Sequence, residues 1–491
     1  MTTTPLSFPE GFLWGAATAA YQIEGAAHLG GRKDSIWDTF CRVPGAVADG
    51  HNGDIACDHY HRSAQDVALM KSLHLKAYRF SVSWARCMPD GRTPNPEGIA
   101  FYSRLVDELL AAGITPWLTL YHWDLPQALE DEGGWTNRET ARLFAEYAAV
   151  MHEAIGDRVR IWTTLNEPWC SAFLGYAAGV HAPGRQEPAA ALAAAHHLLL
   201  GHGLAVAELR RRDPDVRLGI TLNLTVADPA DPGSADDRDA ARRIDGLHNR
   251  IFLDPLFRGE YPADVLDDVA GLGFDAVVQD GDLAVISAAV DLLGVNYYQG
   301  EALTRAASPA VQPDLPEIVT TTAQAAPESA GRPAASPFVA ADGVHSVPRG
   351  LPVTGMGWEV QPEGLFRLLV RLQSEYTGPA GIPIYMTENG AAYPDVPDAE
   401  GYVDDQDRLA YFDAHLRAVR EAIDAGADVR GYLAWSLLDN FEWAYGYHQR
   451  FGLVRVDYET LERIPKASGL WYAKVAASNA IPASKVASHV G

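Results

Sequence analysis

The sequence has 491 residues, 47% of them hydrophobic and 21% charged, a composition that supports a large buried core in one long domain. Sixty-four acidic residues against 39 basic ones give a formal charge of −25, which disfavours nucleic acid and anionic membrane surfaces as partners. Met1-Thr2-Thr3-Thr4-Pro5 has neither the basic nor the apolar region of a secretion signal. No apolar run reads as long enough to span a bilayer, the stretch 189–200 being interrupted by His196 and His197.

Short apolar runs alternate with longer amphipathic ones along the chain. Candidate strands at Phe12–Gln22 and Leu75–Trp84 precede a helical pattern at Gly98–Ala112, which Gly113 stops. A strand at Ile114–His122 leads through the start signal Asn137 to a helix at Arg138–Ile155. The strand Val159–Leu165 then precedes a helix at Ala189–Arg212. Strands follow at Arg217–Leu224 and Leu292–Tyr298. Residues 303–350, rich in Ala, Pro, Ser and Thr, read as a long loop on the active-site face; a functionless insertion is the alternative. Helix Glu363–Tyr376, strand Ile382–Thr387, helix Asp405–Ala425 and strand Arg430–Leu437 complete the series. Several strands are continuously apolar, as parallel strands covered on both faces are. Eight strand-then-helix units predict an α/β fold, a single (β/α)₈ TIM barrel over 1–491. Neither GxGxxG nor GxxxxGK[ST] appears in the strand–turn–helix context that a doubly wound sheet would favour.

Barrel enzymes carry their chemistry at the C-terminal ends of the strands. Those ends here hold Gln22 and Glu24, Arg79 and Trp84, Tyr121-His122-Trp123-Asp124, Asn166-Glu167, Asn296-Tyr297-Tyr298, Glu388-Asn389, and Trp435 running on to Asp439, Glu442 and Trp443. Tryptophan faces stack on the C–H surfaces of sugars, while amides and carboxylates hydrogen-bond hydroxyls. Glu167 and Glu388 each follow an apolar strand directly. Two carboxylates facing one cavity are what glycoside hydrolysis requires, one as proton donor and the other as nucleophile or base. A single strand-end glutamate reads more simply as a cap or a surface ion pair; two in this aromatic and amide company do not.

Thr164-Leu165-Asn166-Glu167-Pro168 and Thr387-Glu388-Asn389-Gly390 resemble the two signature motifs of glycoside hydrolase family 1, the β-glucosidase family. The similarity extends over nearly the whole chain, from Phe8-Pro9-Glu10-Gly11-Phe12 and Ala20-Tyr21-Gln22-Ile23-Glu24-Gly25 through Tyr121-His122-Trp123-Asp124-Leu125-Pro126 and Gly294-Val295-Asn296-Tyr297-Tyr298 to Asp439-Asn440-Phe441-Glu442-Trp443 and Phe451-Gly452-Leu453. The resemblance implies a retaining double displacement with Glu167 as acid/base and Glu388 as nucleophile. It also implies that Arg79 and Tyr298 keep Glu388 ionised and that Asn166 binds the sugar 2-hydroxyl. Gln22, His122, Trp123, Asn296, Trp435, Glu442 and Trp443 would hold the remaining hydroxyls and one sugar face, with Trp358 beside the leaving group. Glu442 stands where the family's phospho-glycosidases carry serine, so a phosphorylated sugar is not expected. The retained Glu167 points to O-glycosides, in contrast to the myrosinases.

No cofactor or metal is expected. His59-Tyr60-His61 precedes an amphipathic helix and reads as capping or packing. Cys41, Cys57, Cys87 and Cys170 form no CxxC pair and are too few for a disulfide framework, so a cytoplasmic protein with reduced thiols is expected. The expected activity is hydrolysis of small-molecule β-glucosides, with β-galactosidase or β-fucosidase side activity. A transglycosidase and a silent sugar-binding barrel remain as alternatives.

Overall fold

The computed structural model describes residues 5–305 and 334–483. Eight parallel strands close into a barrel in sequence order: β1 (Leu13–Ala17), β2 (Ala77–Ser81), β3 (Thr115–Tyr121), β4 (Ile161–Asn166), β5 (Arg217–Asn223), β6 (Leu292–Asn296), β7 (Ile384–Asn389) and β8 (Val429–Trp435). The last strand pairs with the first, from Gly431 beside Leu13 to Trp435 beside Ala17. Helices α1 (His59–Ser72), α2 (Pro96–Ala111), α3 (Glu139–Ile155) and α4 (Pro188–Arg212) link the first five strands. After several short helical pieces, α5 (Pro362–Leu372) and α6 (Gln406–Asp424) flank β7, and α7 (Ala467–Ser478) follows β8. Pro96 opens α2, where a missing N–H costs nothing, and Gly113 closes it at φ +76°, a conformation only glycine adopts without strain.

The eight expected strands all form, with two corrections. The first stops at Ala17 and the second at Ser81, so Gln22 lies on a helical turn, Ala20–Ile23, and Trp84 opens another, Trp84–Cys87. The chain turns there because Ser81 Oγ accepts the Ala20 N–H at 2.7 Å, tying both strand ends together across the barrel mouth. α4 overturns a second expectation. By length and composition it could cross a membrane, yet 83% of its most apolar stretch is buried inside the fold, as in a core helix.

Inside the barrel, side chains two apart along a strand share one face. Ala77, Trp117, Ile161, Leu292, Tyr385 and Leu433 form an apolar plug, with the Trp117 and Tyr385 rings edge to face at 5.1 Å. One step of two along β2 leads from Ala77 to Arg79, and one along β8 from Leu433 to Trp435. The inward row thus passes from apolar plug to polar site. On β4 and β7 the pairing register shifts, between Thr163 and Asn166 and between Met386 and Glu388. Such irregularities re-aim side chains at barrel rims, and these two fall where the catalytic candidates begin.

The long loop expected over 303–350 is partly regular. Glu301–Thr304 pairs antiparallel with His345–Val347 and parallel with Ala227–Pro229. Its residues 306–333 lie outside the described residues.

Candidate active site

Glu167 and Glu388 line one cavity at the C-terminal end of the barrel. Its wall also contains His122, Trp123, Asn296, Tyr298, Trp358, Trp435, Glu442 and Trp443 from the sequence prediction. Gln22, Asn166 and Arg79 are fully buried and stand outside that wall. Gln22 donates to the Phe441 carbonyl at 2.8 Å and to Asn440 at 3.1 Å, which leaves its own carbonyl oxygen unpartnered. Asp439 turns away from the cavity to Lys466 and Arg450, and Glu24 to Arg86 and Tyr102. Among the histidines outside the site, His59 bonds Asp66, and His196 bonds Tyr261 and Asp282.

Glu388 sits between two donors. Arg79 Nη1 reaches Oε1 at 2.7 Å, and Tyr298 donates its hydroxyl to Oε2 at 2.8 Å. Burial and the neighbouring Glu388 charge drive the Tyr298 pKa well up, so that hydroxyl keeps its proton. Gly390 lets this strand end approach β8: a Cβ there would lie 1.7 Å from the Trp435 carbonyl oxygen.

Glu167 is held differently. Asn296 Nδ2 donates to Oε1 at 2.6 Å, and the Cys170 thiol donates to Oε2 at 3.2 Å. No cation touches this carboxylate among the described residues. Asn166 joins the two halves. Its Oδ1 accepts from Arg79 at 2.6 Å and from Asn296 at 3.2 Å, so its amide nitrogen must face His122 Nε2, 3.1 Å away. An amide nitrogen can only donate there, which places the proton of a neutral His122 on Nδ1. Burial, helped by the Arg79 charge, holds the His122 pKa well below its ordinary value and keeps it neutral.

Burial raises both candidate carboxyls, but the opposing influences differ. For Glu167, burial and then the Glu388 charge push the pKa to about 8, with hydrogen bonds from Asn296 and Cys170 only partly offsetting them. For Glu388, burial raises the pKa while Arg79, by charge and by hydrogen bond, pulls it back. One carboxyl therefore keeps a proton at neutral pH, and the other has a guanidinium to stabilise its charge.

Three cavity residues adopt left-handed backbone without being glycine: Trp123 (φ +77°), Glu167 (φ +48°) and Trp443 (φ +50°). Each costs on the order of 1–3 kcal/mol, which the surrounding packing must sustain. The rings of Trp123 and Trp443 meet at 4.6 Å, and His122 stacks on Trp435 at 5.9 Å, forming a continuous aromatic floor. Trp358 lies 5.4 Å from the Tyr298 ring across the opening.

The wall also contains residues that sequence reasoning did not assign: Trp169, Leu174, Asn223, His248, Gln299 and Phe451. Asn223 ends β5, so the strand-end rule applied to that strand finds it. His248 lies far from any strand end and is placed by stacking on Trp169 at 4.2 Å. Phe338, from the described part of the 303–350 segment, packs on the same Trp169 ring at 5.6 Å, which puts that part of the segment on the site's side of the barrel.

Residues 4–481 match the sequence family described as glycosyl hydrolase family 1. Thermostable beta-glucosidase B of Thermobispora bispora is 50% identical over 97% of this chain and 92% of its own. A bifunctional beta-D-glucosidase/beta-D-fucosidase of Bifidobacterium breve is 46% identical over 96% of this chain and 98% of its own. The crystal structure of the psychrophilic beta-glucosidase BglU from Micrococcus antarcticus superimposes with a TM-score of 0.91 at 56% identity, covering 96% of this chain and 98% of that one.

Proposed function

The chain belongs to glycosyl hydrolase family 1, and on that premise we propose how its two buried glutamates divide the work of a retaining β-glucosidase. Glu388 attacks the anomeric carbon while Glu167 gives its proton to the departing glycosidic oxygen. Water then loses a proton to Glu167 and displaces Glu388, so two inversions restore the β-configuration. One observation carries this division of roles: the guanidinium of Arg79 contacts Glu388 and not Glu167. The nucleophile must be ionised and the acid protonated in the same state, and a cation beside only one of two buried carboxyls achieves that.

Asn296 supports the cycle from the side. Its donation to Glu167 Oε1 fixes the plane of that carboxyl, while its Oδ1 accepts from Thr387 at 2.8 Å and cannot swing away. His122, Glu442 and the Trp435–Trp443 floor form the glycone end. The negative charge of Glu442 favours hydroxyls over a phosphate at its end of the sugar. The chain's own acidity further supports a neutral small-molecule glycoside, rather than nucleic acid or a membrane surface, as its partner.

A panel of nitrophenyl glycosides tests the assignment. Expected is turnover of the β-glucoside with retention, slower turnover of the β-fucoside or β-galactoside, and none of the 6-phosphates. A folded protein that hydrolyses no β-glycoside would leave the sugar-binding barrel as the reading. Product ratios with an added sugar acceptor measure how the glycosyl-enzyme partitions between water and transfer.

A further inference from the structure

Cys170 is buried at the cavity wall, on the first turn after Glu167, and its sulfur has two polar neighbours. Asn223 Nδ2 lies 3.6 Å from Sγ and 3.2 Å from His248 Nε2. Burial keeps His248 neutral, and an amide nitrogen only donates, so Asn223 supplies hydrogen to both neighbours. The sulfur's acceptor side is thereby taken, and the thiol hydrogen is left for Glu167 Oε2 at 3.2 Å. The other oxygen, Oε1, faces the Asn296 N–H at 2.6 Å and cannot carry a proton without a clash of hydrogens. The transferable proton of Glu167 therefore sits on Oε2, the oxygen that Cys170 addresses.

We infer that Cys170 is a positioning residue for the acid/base: its thiol rotates to donate to Oε2 once Glu167 has given up its proton, and turns away when water returns one. The inference rests on Glu167 being the acid/base. The proton balance is simple, because the thiol hydrogen never leaves sulfur and only the glutamate gains or loses one. Burial and the adjacent Glu167 charge hold the thiol well above its ordinary range, so it remains a donor across the working pH. The other groups acting on Glu167 are Glu388 on β7, Arg79 on β2 and Asn296 on β6, while Glu442 also acts on the thiol. None of them changes when Cys170 is replaced.

Removing a donor to an ionised carboxylate raises its pKa. Cys170→Ala and the bulkier, non-donating Cys170→Val should each move the alkaline limb of kcat/KM upward by about half a pH unit, a thiol being a weak donor. They should also slow phenyl β-glucoside, which needs the proton, more than 2,4-dinitrophenyl β-glucoside, which does not. Cys170→Ser, which keeps a donor and a stronger one, should bring the limb back to the wild-type position or below it. Thermal melts establish that each variant is folded, and Val fills the space that Ala empties. Unmoved limbs in both Ala and Val, with equal losses on the two substrates, would mean that Cys170 merely fills space and would overturn the inference. Glu167→Ala serves as the separate check on the premise. If it impairs the two substrates alike, the acid assignment fails, and the role of the thiol with it.

Discussion

Two of the buried ionic clusters among the described residues balance their charge in opposite ways. Beyond β8, Asp395, Asp405 and Asp439 meet Arg408, Arg450 and Lys466. Arg408 bonds Asp395 at 3.0 Å and also pairs with Asp405, Arg450 bonds Asp439 at 2.7 Å, and Lys466 bonds Asp439 at 2.6 Å. Burial pushes the Asp439 carboxyl up, but Lys466, Arg450 and Arg408 together outweigh it and hold it below its ordinary value. At the cavity, Glu167 and Glu388 are set against the single charge of Arg79. A cluster whose signs match can stay fully ionised, so its work is structural. A cluster with acid in excess must keep a proton, and a retained proton close to a cavity is a catalytic resource.

The largest expected effect comes from removing the nucleophile. Glu388→Ala should lower kcat by on the order of 10⁴-fold or more. Azide should restore cleavage in that variant and give a product of inverted configuration, since it enters where Glu388 attacked. A rescued product of retained configuration would assign the nucleophile elsewhere.

The balanced cluster should respond in stability instead. Lys466→Met strands Asp439 and Asp395 beside two guanidiniums in place of three cations and should cost about 3–5 kcal/mol in urea unfolding. The pH limbs of the folded variant should stay in place. A loss under about 1 kcal/mol, small beside the usual cost of breaking a buried pair, would break the comparison, because the cluster would then not depend on matched charge.

Arg79→Met sharpens the contrast from the other side, by stripping the cavity of its cation. Without it, burial raises Glu388 against only the hydrogen bonds of Tyr298 and Asn296, so more of the nucleophile is protonated at a given pH. The acid limb of kcat/KM should move up by about 1–3 units, the usual effect of an adjacent opposite charge. In the wild type the acid limb should lie above the ordinary glutamate value and the alkaline limb near 8, activity falling as Glu388 gains its proton or Glu167 loses its own. Both limbs belong to the interacting pair.

Much of this contrast was legible in the amino-acid order, for physical reasons that also explain the gaps. Strands buried on both faces announce themselves as apolar runs, and the residue that ends such a run projects at the barrel mouth; Glu167, Glu388, Asn296 and Trp435 were found that way. Gln22 was placed on a strand because Ala16–Ala20 continues the apolar run, and only the bond from Ala20 to Ser81 shows where the chain turns. α4 is legible as a helix, and the two histidines that interrupt its apolar pattern are satisfied inside the core by Tyr261, Asp282 and the Trp135 carbonyl. His248 and Trp169 reach the cavity by tertiary packing, which no periodicity encodes. The Lys466 cluster joins residues from distant segments and carries no local signature at all.

The pH dependence of stability is the most direct test of the unbalanced cluster. Glu167 is raised by burial and by Glu388 to about 8 in the folded chain, whereas an unfolded glutamate titrates near 4.5. A raised carboxyl favours folding fully only below the unfolded value. Between about 4.5 and 8 the unfolded chain gives up this proton while the folded chain retains it, so stability drains away as pH rises. Glu167→Gln abolishes that loss. The amide oxygen still accepts from Asn296, and the Cys170 thiol hydrogen turns away from the new amide nitrogen, so the geometry survives. The variant, though catalytically crippled, should therefore be more stable than wild type by about 4 kcal/mol at pH 8, with the difference vanishing toward pH 4.5. Denaturant melts across that range read the difference directly. A gain that is flat with pH would reflect packing alone, and the excess of buried acid would then not be what this site holds against its own stability.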